Sequence, residues 1–128
     1  MPRFILPTSV TLERKTKADR KIQLNMNTYR NLHHQTSSQM KREFHPLEIP
    51  RMSKCQKVRI TYHVQKRTKR IFDIMNVVSI VDKCFLDWLV NTGYLPDDNL
   101  HHVDYGAITG ENGCSENRVI AHIEILEE

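Results

Sequence analysis

The chain has no run approaching the ~20 apolar residues of a membrane-spanning helix, so a helical membrane protein is not expected. Its three cysteines, Cys55, Cys84 and Cys114, are odd in number, widely spaced and form no CxxC pair. Neither a disulfide framework nor a zinc site is therefore indicated, and a reducing cytoplasm is the expected setting. Internal repeats and low-complexity tracts are missing. The opening stretch MPRFILPTSVTLERK has no long apolar core and no small-residue cleavage site, so a secretory leader is not expected either. Residues 49–72 contain no acid at all, while holding eight bases: Arg51, Lys54, Lys57, Arg59, Lys66, Arg67, Lys69 and Arg70.

That last absence belongs to a wider asymmetry. The 128 residues carry a net charge of +4. Residues 1–72 hold 17 Lys/Arg and 4 acids, about +13; residues 73–128 hold 2 Lys/Arg and 11 acids, about −9. The halves can neutralise each other. A block such as 49–72 nevertheless repels itself unless a polyanion is near, and nucleic acid is the expected partner. With 39% hydrophobic and 27% charged residues, the composition fits one soluble globular domain over 1–128.

Hydrophobic periodicity predicts an α+β fold, a mixed sheet of about four or five strands packed against two main helices. Residues 4–12 read as a strand broken by Pro7. Residues 14–21 are a basic loop, and 22–31 a short strand running into a turn. A helix is expected over 31–44, ended by Pro46. KVRITYHVQ (57–65) is the clearest strand, with Val58, Ile60, Tyr62 and Val64 on one face. Lys57, Arg59, Thr61 and His63 lie on the other, where they suit contact with phosphates. Residues 73–92 form the main helix, capped by Asp73 and closed by Gly93. Strands over 101–109 and 118–126 complete the pattern.

At 100° per residue, Val77, Val81, Phe85 and Leu89 fall on the core face of that helix. Asp73, Asn76, Ser79, Lys83 and Asp87 share the opposite arc, and Asp82 sits at the boundary. An i,i+4 ion pair between Lys83 and Asp87 is the plain interpretation. A second one follows from Gly93 and the adjacent Asp97 and Asp98. If the chain turns back at the glycine, carboxylates from separate elements can hold Mg²⁺, which prefers oxygen ligands. The paired His33–His34 and His101–His102 suit surface or phosphate contact better than chelation.

The stretch DIMN…DKCFLDWLVNTGYLPDD resembles the core motif of RusA-like Holliday junction resolvases: D-x-D-N, a Lys, D-x-L, a Gly and a closing D-D. Lys83, Asp87, Leu89, Gly93, Asp97 and Asp98 fit its second part. Asp73 and Asn76 fit the first, but Met75 stands where the second Asp belongs, and about four extra residues precede Lys83. LNMNTYRN is similar to an early Asn/aromatic segment of the family. The resemblance implies a homodimeric nuclease, often phage-encoded and working in a bacterial cytoplasm, which cuts four-way junctions or other branched DNA symmetrically with Mg²⁺ or Mn²⁺. Asp73, Asp82, Asp97 and Asp98 are then candidate metal ligands, with Asp73, Lys83, Asp98 and Asp82 catalytic and Asn76 and Asp87 supporting. Arg14, Lys15, Lys17, Arg20, Lys21, Tyr29, Arg30, Lys66, Arg67, Lys69 and Arg70 are candidate DNA contacts. The alternative is a junction- or DNA-binding protein that does not cut, because Met75 removes one ligand. A third is an interaction protein whose acidic half docks a basic one.

Overall fold

Alternation of apolar and polar residues makes Lys57–Gln65 (β4) a strand with one dry face. Val58, Ile60, Tyr62 and Val64 are buried, and the residues between them half-buried. The computed structural model describes residues 1–128. It places β4 at the centre of a four-stranded sheet beside Arg118–Glu127 (β6), Val103–Glu111 (β5) and Arg3–Leu6 (β1), in the order β1-β6-β4-β5. β6 pairs antiparallel with both β1 and β4. β5 pairs parallel with β4.

Parallel neighbours cannot be joined by a tight hairpin and need a crossover. Ile74–Asn91 (α3) supplies it. Its start is set by Asp73, whose Oδ1 accepts the N–H groups of Met75 at 3.0 Å and Asn76 at 3.4 Å. Its end is set by Gly93, which takes φ 84° and lets Tyr94 N–H return to the Leu89 carbonyl at 2.9 Å. At the other end of the crossover, Gly110 of β5 admits the helix closely. A Cβ there would stand 3.0 Å from Ile74 Cγ1 and 3.3 Å from Phe72 Cζ.

Val77, Val81, Cys84, Phe85 and Leu89 of α3 join the dry face of the sheet in one core. Its densest part is aromatic: Phe4 meets Phe85 edge-on at 5.0 Å, and Phe85 stacks on Trp88 at 6.3 Å. Such pairs add to the burial of their area. Ser9–Leu12 (β2) and Arg20–Gln23 (β3) form a separate hairpin. His34–Glu43 (α2) packs against β2, and Met26–Arg30 (α1) packs against α3. No helix is long and apolar enough to cross a membrane.

The α+β expectation holds, with six strands and three helices. Four details differ. The strand expected over 4–12 splits at Pro7, and its halves join different sheets. The turn after the strand in 22–31 contains α1, whose N-cap Asn25 accepts the Thr28 N–H at 2.8 Å. The helix expected from 31 begins at His34, because His33 is its cap: Nδ1 accepts the Gln35 N–H at 3.2 Å. The strand expected over 101–109 runs Val103–Glu111, after a turn closed by the Asn99 side chain on His101 N–H.

Phe85 is fully buried. Phe85→Ala is expected to lower the unfolding free energy by about 3–5 kcal/mol in urea titration; a loss under about 1 kcal/mol would show that the ring is not core.

Candidate functional site

α3 carries polar side chains along the side that does not face the core, and two adjoining recesses follow it. One, of about 370 Å³, is lined by Asn27, Arg30, Asp73 and Asn76. The next, of about 410 Å³, is lined by Val78, Asp82, Lys83, Tyr105 and Ile108. Met75 and Ser79 border both, so the two make one groove along the helix.

The floor of the second recess is a bridged carboxylate. Asp82 Oδ1 accepts the Tyr62 hydroxyl and Oδ2 the Tyr105 hydroxyl, each at 2.5 Å. Tyr62 rises from β4 and is fully buried; Tyr105 comes from β5 and is partly exposed. Burial pushes the Asp82 carboxyl above the ordinary carboxylate range, and the charge of Asp98 adds to this. The two phenol donors and Lys83 act the other way without overcoming burial. Both phenols are themselves pushed up, first by burial and then by Asp82, which keeps them protonated as donors.

Lys83 is exposed beside this carboxylate and makes no ion pair or hydrogen bond of its own. Asp98 follows α3 on an exposed loop, and its charge acts on both Asp82 and Tyr105. Asp82 and Lys83 therefore belong to one end of the groove, and Asp98 lies on the loop within electrostatic reach of Asp82.

The other expected ligands do not join them. Asp73 lies nine residues back along α3, about 13.5 Å by helical rise, and its carboxylate caps the helix. Asp73 and Asp82 cannot share one cation. Asp97 builds its own turn, accepting Asp98 N–H at 2.7 Å and Asn99 Nδ2–H at 3.2 Å. Those bonds, the backbone one first, hold its carboxyl below the usual range. For Asp97, then, the adjacent acids form a solvated turn. Asn76 Oδ1 accepts Met26 N–H at 3.0 Å and ties α1 to α3. Asp87 is ion-paired neither to Lys83 nor to any other base; the Lys41 amine of α2, held up first by Tyr29, also feels its charge. Nowhere do three His, Cys, Asp or Glu side chains converge as a cation site.

The basic residues divide in two. The face of β4 expected to meet phosphates is internally paired: Arg59 binds Asp104 and Glu124, both at 3.1 Å, and His63 binds Glu111 at 3.0 Å. These partners come from the neighbouring strands, which the alternation within β4 could not reveal. The loops are different. Of the 19 Lys/Arg, only Arg59 and Arg118 pair with acids. Arg14, Lys15, Lys17, Arg20 and Lys21, on the β2–β3 hairpin, stand exposed, with Arg14 Nε donating only to the Ala18 carbonyl. Lys66, Arg67, Lys69 and Arg70 lie on the loop that opens α3, where burial holds the Lys66 amine down. Arg30 lines the recess of Asp73, whereas Tyr29 packs half-buried with the Lys41 amine 5.5 Å from its ring centroid.

The sequence pattern missed Tyr62 and Tyr105 as site residues. Tyr62 reads only as a core position of β4; the one signal was Asp82, placed between the apolar and polar arcs of its helix. Two of the three thiols are inert: Cys55 and Cys84 are buried, and burial pushes Cys84 up to about 12.

A carboxyl pushed up on folding contributes stability below the ordinary carboxylate range and loses it as pH rises through its own raised value. Asp82→Asn keeps the bridge polar and removes the buried charge. The variant is expected to melt no lower than the parent at pH 7, with its relative standing falling as pH is lowered through the raised Asp82 value and levelling below about 4. Thermal unfolding across pH checks this; a variant that melts lower at pH 7 and recovers in acid would reverse it. None of the known protein families, curated proteins or solved structures compared with the chain matches it.

Proposed function

We propose that the chain is a metal-dependent endonuclease selective for branched DNA, of the RusA-like kind that its motif resembles, acting as a homodimer. The observation that carries this reading is one of placement. The groove holding Asp82 and Lys83 runs along α3, and α3 is opened by a loop of cations that no acid of the chain pairs.

The donor set fits Mg²⁺, or Mn²⁺ in its place, in a limited form. Asp82 lies in the groove and Asp98 on the loop within electrostatic reach of it, and Mg²⁺ is commonly held by one or two carboxylates, waters and a substrate phosphate. Such an ion, when bound, supplies an acidified water and neutralises phosphate charge. The chain's own groups do the rest. Tyr62 and Tyr105 fix the Asp82 carboxylate in one orientation. Lys83, with no partner of its own, stabilises negative charge gathering on a phosphate. The 66–70 loop, Arg30 and the 14–21 hairpin hold phosphates without reading bases. Paired cuts need two such sites, which a two-fold dimer provides.

One feature favours a second reading, a junction-binding protein that does not cut. Met75, where the motif has a carboxylate, is 51% exposed at the border of both recesses and leaves the site one donor short.

A labelled four-way junction and a matched duplex, each with Mg²⁺, Mn²⁺ or EDTA, separate the two. Metal-dependent nicks confined to the junction are expected. Asp98→Asn and Lys83→Ala, both at exposed positions, are expected to slow cutting by about 100-fold or more while leaving binding nearly unchanged. Binding should weaken steeply with salt. Tight junction binding with no product under any metal would leave the non-cutting reading.

A further inference from the structure

Ile71 is 97% exposed, the most exposed large apolar side chain in the molecule. A single apolar residue on a surface is ordinary. What sets Ile71 apart is its mounting and its neighbours. The loop that carries it is tied to the β5–β6 turn by backbone and side-chain bonds. Arg67 N–H donates to Asn117 Oδ1 at 2.7 Å, Gly113 N–H to the Thr68 carbonyl at 2.7 Å, and Asn112 Nδ2–H to the Lys69 carbonyl at 3.0 Å. On its other side, Phe72 packs half-buried on the core, seated against β5 where Gly110 has no side chain. Held before and after, Ile71 stands almost wholly in solvent at the edge of a shallow recess that Phe72, Ile74 and Gly110 also line. Arg67, Lys69 and Arg70 of the same loop are exposed and pair with no acid, while Glu111, which borders the recess beside Ile71, is taken up by His63 and Gln65.

We infer that Ile71 is a wedge that enters an opened base step of bound DNA while Arg67, Lys69 and Arg70 hold the flanking phosphates. The inference rests on the reading of the chain as a binder of branched DNA, and deepens it. A loop of free cations that ends in an apolar tip matches a partner that is anionic outside and apolar between its layers. Apolar side chains inserted between base steps unstack them, and the step at a branch point is the least expensive to open. Ile71 lies two residues before Asp73, so the wedge would act at the end of the groove that contains Arg30 and Asp73.

The test is permanganate footprinting of thymines at the branch point of a four-way junction and in a matched duplex, in EDTA. Unstacked thymine is oxidised and stacked thymine protected. Saturating parent protein is expected to raise branch-point reactivity several-fold over free junction, and not that of the duplex. Ile71→Ser is expected to return it to near the free level with an affinity loss of less than about fivefold, and Ile71→Leu to retain it. Circular dichroism confirms that each variant folds. Binding by the parent without added reactivity overturns the wedge, as does full reactivity with Ile71→Ser. Failure of the parent to bind either DNA overturns the wedge together with the DNA reading, and leaves an acidic protein partner for this loop. The footprint is read without metal, so unstacking there followed by no cutting once Mg²⁺ or Mn²⁺ is added would sink the nuclease reading alone.

Discussion

The parallel pairing of β4 with β5 constrains the molecule more than any other contact. It obliges the chain to cross the sheet between them, and α3 is that crossing. The helix must lie along the strands, with its start near the end of β5 and its finish near the beginning. This geometry distributes the acids: Asp73 at one end as a cap, Asp82 in the middle over the two tyrosines, Asp97 and Asp98 beyond the far end. An acid cluster that looks compact in the motif is spread out by the axis of the helix that carries it. The charge of Asp98 reaches Asp82 because Asp98 lies on the return to β5, the strand that also supplies Tyr105.

Asp82 also shows a tension between stability and site. A carboxylate this buried, without an ion-pair partner, is held by two phenols and disfavoured by its own desolvation. A fold selected for stability alone has little reason to keep it. A bound divalent cation would relieve the uncompensated charge, since a metal is commonly the largest local charge in its site. The same logic applies to the loops. Cations that no acid of the chain neutralises repel one another until a polyanion arrives.

Much of the fold was legible in the residues. The alternation in KVRITYHVQ gave β4 its limits, and Asp73 and Gly93 gave those of α3, because each end has a specific backbone chemistry. Partners distant in the chain were not legible. Arg59 reads as free until Asp104 and Glu124 are placed on the strands beside it. Asp87 reads as the partner of Lys83, yet the folded chain leaves it without an ion pair. The Asp97–Asp98 pair was half legible: one carboxylate closes the turn and the other's charge reaches Asp82, and sequence proximity alone does not separate these roles.

The central claim is that Asp82 and Asp98, and not Asp73, capture a divalent cation beside bound DNA. Electron paramagnetic resonance of Mn²⁺ titrated into the protein–junction complex tests it directly. The account predicts uptake that persists in Asp73→Asn, whose amide can still cap the helix, and is lost in Asp98→Asn. Loss of uptake in Asp73→Asn with retention in Asp98→Asn would contradict it.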